Sequence, residues 1–190
     1  MMYAQLAKYI TDRVVIADEQ LQAILSHFKP LTLKKNEVIN VVGQPARRMY
    51  FVNKGCLRVY FLKVDGGEVT RRFAFENTFS TSLTSFISGE PLTEFTKAIE
   101  TTELLYIQRD DFYRLLDVVP AWEKFYRYYL EFAYVNNTKR LQSFATQDAS
   151  ERYKLLLKEN PHYVLRLSNK LVANYLSISP EALSRLKSKI

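Results

Sequence analysis

Short runs rich in Val, Tyr and Phe alternate with turn residues from Leu31 to Phe75, and helical patterns stand on either side. No other feature restricts the fold of this chain as much, because such punctuation, every eight to twelve residues or so, suits an antiparallel sandwich or barrel. Leu31-Thr32-Leu33 meets the turn Lys34-Lys35-Asn36-Glu37, and residues 38–42 meet Gly43-Gln44-Pro45. Residues 49–52 meet Asn53-Lys54-Gly55. Residues 56–64 run into Asp65-Gly66-Gly67-Glu68, a hairpin signal, and residues 69–75 return. Alternation places Leu57, Val59 and Phe61 on one face of their strand and Arg58, Tyr60 and Leu62 on the other. A hydroxyl-rich stretch, residues 76–91, then predicts a short helix near 83–87, and two more strands are predicted at 95–99 and 104–107.

Helical periodicity takes over outside this block. Residues 18–28 carry Leu21, Ile24, Leu25 and Phe28 on one stripe, and Pro30 ends it. His27 lies off the stripe and reads as a surface residue. Asp110 is placed to cap a short helix over 111–116. Residues 119–145 form the longest helical stretch, with Trp122, Phe125, Tyr126, Tyr129, Phe132, Ala133, Asn136, Arg140 and Leu141 at three- and four-residue steps. The stripe is too broad for a lone helix in water. Either one face packs on the strands while another pairs with a second copy, with Asn136 and Asn137 setting the register, or the whole stripe is intramolecular core.

Residues 148–159 open a new helix with Ser150 as a candidate cap, and Asn160-Pro161-His162 ends it. The last stretch reads RLSNKLVANYLSISPEALSRLKSKI from Arg166. A helix over 169–176 presents Leu171, Val172, Tyr175 and Leu176, with Ser168 placed to cap it. After the turn Ser177-Ile178-Ser179, Ser179 caps a second helix with Pro180 at its first position and Glu181 in its first turn. Leu183 and Leu186 face inward; Glu181, Ser184, Arg185, Lys187, Ser188 and Lys189 face out. Two readings fit, a plain helical hairpin with a solvated basic face or a helix-turn-helix whose second helix enters a major groove.

Charge favours a polyanionic partner. Formal net charge is +7, and residues 149–190 hold eight Lys or Arg against three acids, a net +5. The single Cys56 supplies neither a disulfide framework nor a cysteine metal cluster, and it reads as a small core residue. The two His, His27 and His162, lie far apart, so no cofactor or metal is expected. No nucleophile–His pair or phosphate loop stands out, and an enzyme is not expected. The start, MMYAQLAKYITDRVV, has neither the run of a signal peptide nor that of a membrane span, and the cytoplasm is the expected address.

This order of parts resembles the bacterial regulators of the cyclic-AMP receptor and fumarate/nitrate regulator (Crp/Fnr) type. The resemblance covers nearly the whole chain. It is most specific in ASERYKLLLKENP and SNKLVANYLSISPEALSRLKSK, and extends to EVINVVGQPARRMYFVNKGCLRVY, with Gly43 and Gly55 at expected turns. It implies a jelly-roll sensor, a dimerising helix and a C-terminal reader of DNA, with RNA polymerase as a further partner. Ser179 resembles the phosphate-contacting start of the recognition helix, and Glu181 and Arg185 its base readers. Pro180 stands where many members have another base-reading side chain, and Ser177 where Gly is usual. The family's β-wing is expected to be absent or minimal. Thr81-Ser82-Leu83 resembles the run that holds the cyclic nucleotide's ribose, and Phe95-Thr96 the pair that holds its phosphate. From Phe73 to Gln108 there is no Arg, and Lys97 is the one base, so cyclic AMP is not expected to bind in the usual way. Cys56 alone cannot supply an iron–sulfur centre, and neither His falls where a haem sensor needs one.

The expectation is an α+β chain: an antiparallel β-roll of jelly-roll type over 1–118, a long dimerisation helix over 119–147, and an all-α helix-turn-helix over 148–190. Its function is sequence-specific binding of double-stranded DNA as a homodimer. Expected DNA contacts are Asn169, Lys170, Ser179, Pro180, Glu181, Ser184, Arg185, Lys187 and Lys189. Thr81, Ser82, Leu83, Phe95 and Thr96 are candidates for an effector pocket, and Trp122, Phe125, Tyr129, Phe132 and Asn136 for the dimer helix. The rival is a ligand-binding or protein-interaction module of the same fold that no longer binds DNA.

Overall fold

A computed structural model of the chain describes residues 2–188. Two helices, α1 (Ala4–Thr11) and α2 (Asp18–Ser26), precede the strands. The strands are β1 (Lys29–Leu33), β2 (Arg48–Lys54), β3 (Leu57–Leu62), β4 (Glu68–Ala74), β5 (Phe79–Ser80), β6 (Phe95–Ala98) and β7 (Thr102–Gln108), with α3 (Leu83–Ser88) between β5 and β6. Helices α4 (Arg109–Val118), α5 (Pro120–Thr146), α6 (Ala149–Glu159), α7 (Pro161–Arg166), α8 (Asn169–Leu176) and α9 (Pro180–Lys187) follow. The chain divides into two compact units. The first holds the residues up to Phe61 together with Arg72–Leu130; the second holds Leu62–Arg71 together with the residues from Glu131 onward.

The first unit is an antiparallel roll of two sheets, ordered β1-β7-β2-β5 and β4-β3-β6. Register pairs Leu31 with Leu104, Tyr50 with Tyr106 and Tyr60 with Phe95. Gly55, between β2 and β3, has φ +92°, and a Cβ there would sit 2.6 Å from the Thr102 hydroxyl, so only glycine fits this turn. The core is ring on ring. Phe79 meets Tyr9, Phe51, Phe125 and Tyr129 edge-on, and Trp122 stacks on Phe125 at 4.9 Å.

Several local expectations shift. Residues 38–42 form no extended strand; Val38 makes one bridge to Lys97, and Asn40 ties that segment to Glu94 and Thr96 by hydrogen bonds. Arg58 and Tyr60 are buried with Leu57 and Val59, because both faces of β3 are covered along that half, whereas Phe61 and Leu62 are exposed. Helix α4 begins at Arg109 with Gln108 before it and no side-chain cap, so Asp110 sits inside its first turn. The cap of α6 is Asp148, not Ser150: Asp148 accepts from the Glu151 N–H while Glu151 reaches back to the Asp148 N–H, a reciprocal capping box. Helix α6 ends at Glu159 as expected, with Asn160 as its cap, and Pro161 then opens the short helix α7.

Candidate nucleic-acid interface and effector cavity

In the second unit, α8, a short turn and α9 form a helix-turn-helix. Ser168 caps α8 by accepting from the Leu171 N–H, and Ser179 caps α9 by accepting from the Ala182 N–H at 3.2 Å. Val172, Ala173, Leu176 and Leu183 are buried, which packs the pair on one apolar side. Ser177 turns the chain in the left-handed region at φ 56°. The last carbonyls of α8, orphaned by the end of the helix, are met by two arginines. Arg140 donates to Tyr175 O at 3.1 Å and Arg152 to Leu176 O at 3.2 Å. Arg140 also donates to Thr70 O and lies over the Tyr175 ring at 4.1 Å, and burial lowers its pKa. Asn174 bonds the Glu68–Thr70 stretch of the β3–β4 hairpin.

The outer side of this pair is polar. Asn169, Lys170, Ser179, Pro180, Glu181, Ser184 and Arg185 are all exposed. Lys187 is half-buried and donates to Asn169 Oδ1 at 2.6 Å, which ties the end of α9 to the start of α8. Lys189 lies outside the described residues. The Glu181 carboxyl is held below the usual carboxylate range, first by a hydrogen bond with the Ser179 side chain, then by its own backbone N–H, with Arg185 adding attraction. Glu181 therefore stays an acceptor at neutral pH.

Helix α5 is about 40 Å long for its 27 residues. Trp122, Phe125 and Tyr129, expected on a dimer face, are buried in the first unit's own core. The part of the stripe near the roll is thus intramolecular. Phe132 and Asn136 are exposed, as are Tyr128, Val135, Tyr134 and Leu141. Tyr128, Phe132 and Val135 share one row at helical spacing; Tyr134 and Leu141 form a second, seven residues apart.

A cavity of about 430 Å³ opens in the roll. Its lining includes Thr81, Ser82 and Thr96 of the expected pocket residues; Leu83 and Phe95 are not among the lining residues. Phe95 instead stacks on Tyr60 at 5.4 Å. The lining also includes Arg47 and Arg48, from a stretch that sequence reasoning left out of the pocket. The Thr81 hydroxyl donates to Arg48 O at 2.9 Å, and the Arg48 guanidinium lies 4.5 Å from the Tyr106 ring centre. Burial raises the Tyr50 phenol's pKa against the opposing pull of Arg48, so the phenol is neutral at physiological pH. Arg72 stands behind another wall, donating to Phe79 O, Ser80 Oγ and Thr81 O. Arg72 stands one residue before the Arg-free stretch from Phe73 to Gln108, which is its signal in the sequence; Arg47 and Arg48 have no local signal.

No three His, Cys, Asp or Glu gather as a metal site among the described residues, and none of their helices is long and apolar enough to cross a membrane. Residues 30–118 match the family model of the cyclic nucleotide-binding domain. FixK2 from Bradyrhizobium japonicum is similar at 19% identity over 85% of this chain and 83% of that one, with a TM-score of 0.74. The c-di-GMP responsive global regulator CLP of Xanthomonas campestris is 17% identical over 91% of each chain, TM-score 0.71. A CooA mutant from Carboxydothermus hydrogenoformans is 17% identical over 93% of this chain and 85% of that one, TM-score 0.72. A comparison with curated proteins gave no match. The chain thus shares the fold of FixK2, CLP and CooA, and the stretch that matches the cyclic nucleotide-binding domain model is its roll and α4.

Proposed function

We propose that this protein is a dimeric, DNA-binding transcription regulator of the cytoplasm and not an enzyme. The observation that carries the reading is the exposed polar side of α9: Glu181, Ser184 and Arg185 stand out to solvent from a helix whose Leu183 is fully buried. A helix so anchored fits a major groove, where Arg bonds guanine at two points and Glu accepts from the cytosine amino group. Asn169, Lys170, Ser179 and Lys187 supply backbone contacts, and Pro180 shapes the helix start without reading a base. The exposed rows of α5 pair with a second copy, which sets two α9 helices about 34 Å apart on a roughly palindromic site. Domain roles follow as sensor over 1–118, dimer helix over 119–147 and DNA reader over 148–190. RNA polymerase is the partner this fold suggests.

The roll does not hold cyclic AMP in the usual way. Phe95 and Thr96 occupy the positions that resemble the phosphate pair, and Phe95 is turned to Tyr60. Stoichiometric cyclic AMP binding at micromolar concentration overturns this point. A gel shift on random duplex at two salt concentrations tests the main reading. Binding at low salt that weakens as salt rises supports it, since phosphate contacts release counterions; no shift at low salt favours a module that has lost DNA.

A further inference from the structure

The cavity in the roll carries an excess of positive charge. Arg47 and Arg48 line it, and none of its lining residues is Asp or Glu. Arg48 meets the Tyr106 ring and Arg47 is exposed; neither has a carboxylate partner among the described residues. Arg72 adds a third guanidinium behind the 79–81 wall, and each acceptor it uses is neutral, two carbonyls and a hydroxyl. A guanidinium matches a phosphate dianion in geometry and takes it by bidentate hydrogen bonds. The rest of the wall mixes apolar side chains, Ile39, Val41 and Leu92 among them, with polar ones. Ser82 Oγ and the Gln108 amide have no protein partner among the described residues and face the same space.

We propose that this cavity binds a small hydroxylated phosphate monoester, its dianion held by Arg47 and Arg48 and its hydroxyls met by Ser82 and Gln108. The volume, about 430 Å³, falls in the range of small-molecule sites. Two cations in the lining favour a dianion over the single charge of a cyclic phosphodiester. The inference deepens the sensor half of the function above and is independent of the DNA half.

Isothermal titration of the full chain with ribose 5-phosphate, with ribose as the neutral control, tests it. The expected result is saturable binding of the phosphate, none of ribose, and a loss of about tenfold or more in each of Arg47→Gln and Arg48→Gln. Binding weakens as pH falls through about 6, where a phosphate monoester takes up its second proton. Arg47 is exposed, so Arg47→Gln carries the test alone should Arg48→Gln disturb the packing on Tyr106. Ribose binding as tightly as its phosphate, full affinity in Arg47→Gln, or no saturable heat overturns the proposal. No DNA enters the titration. A blank titration beside a salt-sensitive gel shift therefore removes the cavity assignment alone, and the converse removes the DNA reading alone.

Discussion

Asn174 holds Thr70 twice: its Oδ1 accepts from the Thr70 backbone N–H at 2.7 Å and from the Thr70 hydroxyl at 2.5 Å. Its Nδ2 donates to Glu68 O at 2.7 Å. One amide thus satisfies the backbone of a strand edge in the manner of a neighbouring strand, from the first helix of the helix-turn-helix. Asn174→Ala removes these three bonds and is expected to cost about 1–3 kcal/mol. Amide hydrogen exchange at Thr70 is the check. Protection there falls in Asn174→Ala and survives in Asn174→Asp, which keeps the acceptor.

Arg185→Ala is expected to weaken operator binding by about 1–3 kcal/mol and to relax base choice at one position of each half-site. Lys187→Ala weakens all duplexes about equally. Selection of bound duplexes from a random pool reads both outcomes, and an altered base preference in Lys187→Ala contradicts the division of roles.

The two halves of α5 answer differently to substitution. Phe132→Lys, at a side chain 55% exposed, is expected to leave monomer stability within about 0.5 kcal/mol and to abolish the dimer in analytical ultracentrifugation. Trp122→Ala, at a side chain with no exposure, costs about 3–5 kcal/mol through a cavity in the roll. A Phe132→Lys chain that still sediments as a dimer moves the pairing face elsewhere.

Ser177 holds a left-handed backbone that glycine adopts without strain. Relief of the left-handed strain, about 1–2 kcal/mol, outweighs glycine's entropy cost of about 0.4–1 kcal/mol, so Ser177→Gly is expected to stabilise the second unit by about 0.5–1 kcal/mol in urea unfolding. A loss of stability there shows that the serine is held by more than its backbone.

Glu181 titrates below the ordinary carboxylate value in the folded chain. Its contribution to stability is complete above the unfolded value and is lost as pH falls through the lower folded value. Base discrimination that depends on Glu181 is therefore level from neutral pH down to the ordinary carboxylate range and fades below it. Binding ratios for matched and mismatched duplexes across that range test this, and Glu181→Gln gives a ratio without that low-pH loss.

Local chemistry made the roll and the terminal helices legible. Turn residues at Asn36, Gly43, Gly55 and Gly66 separate the strands, and each has positive φ. Ser168, Ser179 and Pro180 announced α8 and α9 because caps act within a single turn. What stayed hidden depends on distant partners. Trp122 and Phe125 have the periodicity of a dimer seam, and only the placement of Phe28, Phe112 and Tyr9 shows which surface covers them. Arg48 lines the cavity beside Gln108 through the pairing of β2 with β7, and Arg47 stands just before that strand, a relation no window of sequence contains. Helix α1 was missed although Leu6 and Ile10, four apart, are fully buried.

The second unit borrows Leu62–Arg71 from the middle of the chain. A fragment that starts at the long helix lacks those ten residues and leaves Asn174 and Arg140 without the backbone they hold. During synthesis the hairpin leaves the ribosome well ahead of both, so the module is completed only once the carboxy-terminal helices have emerged. Dissection of this protein into separately expressed halves therefore calls for restoring that peptide, as a tethered insert or as a free chain added back.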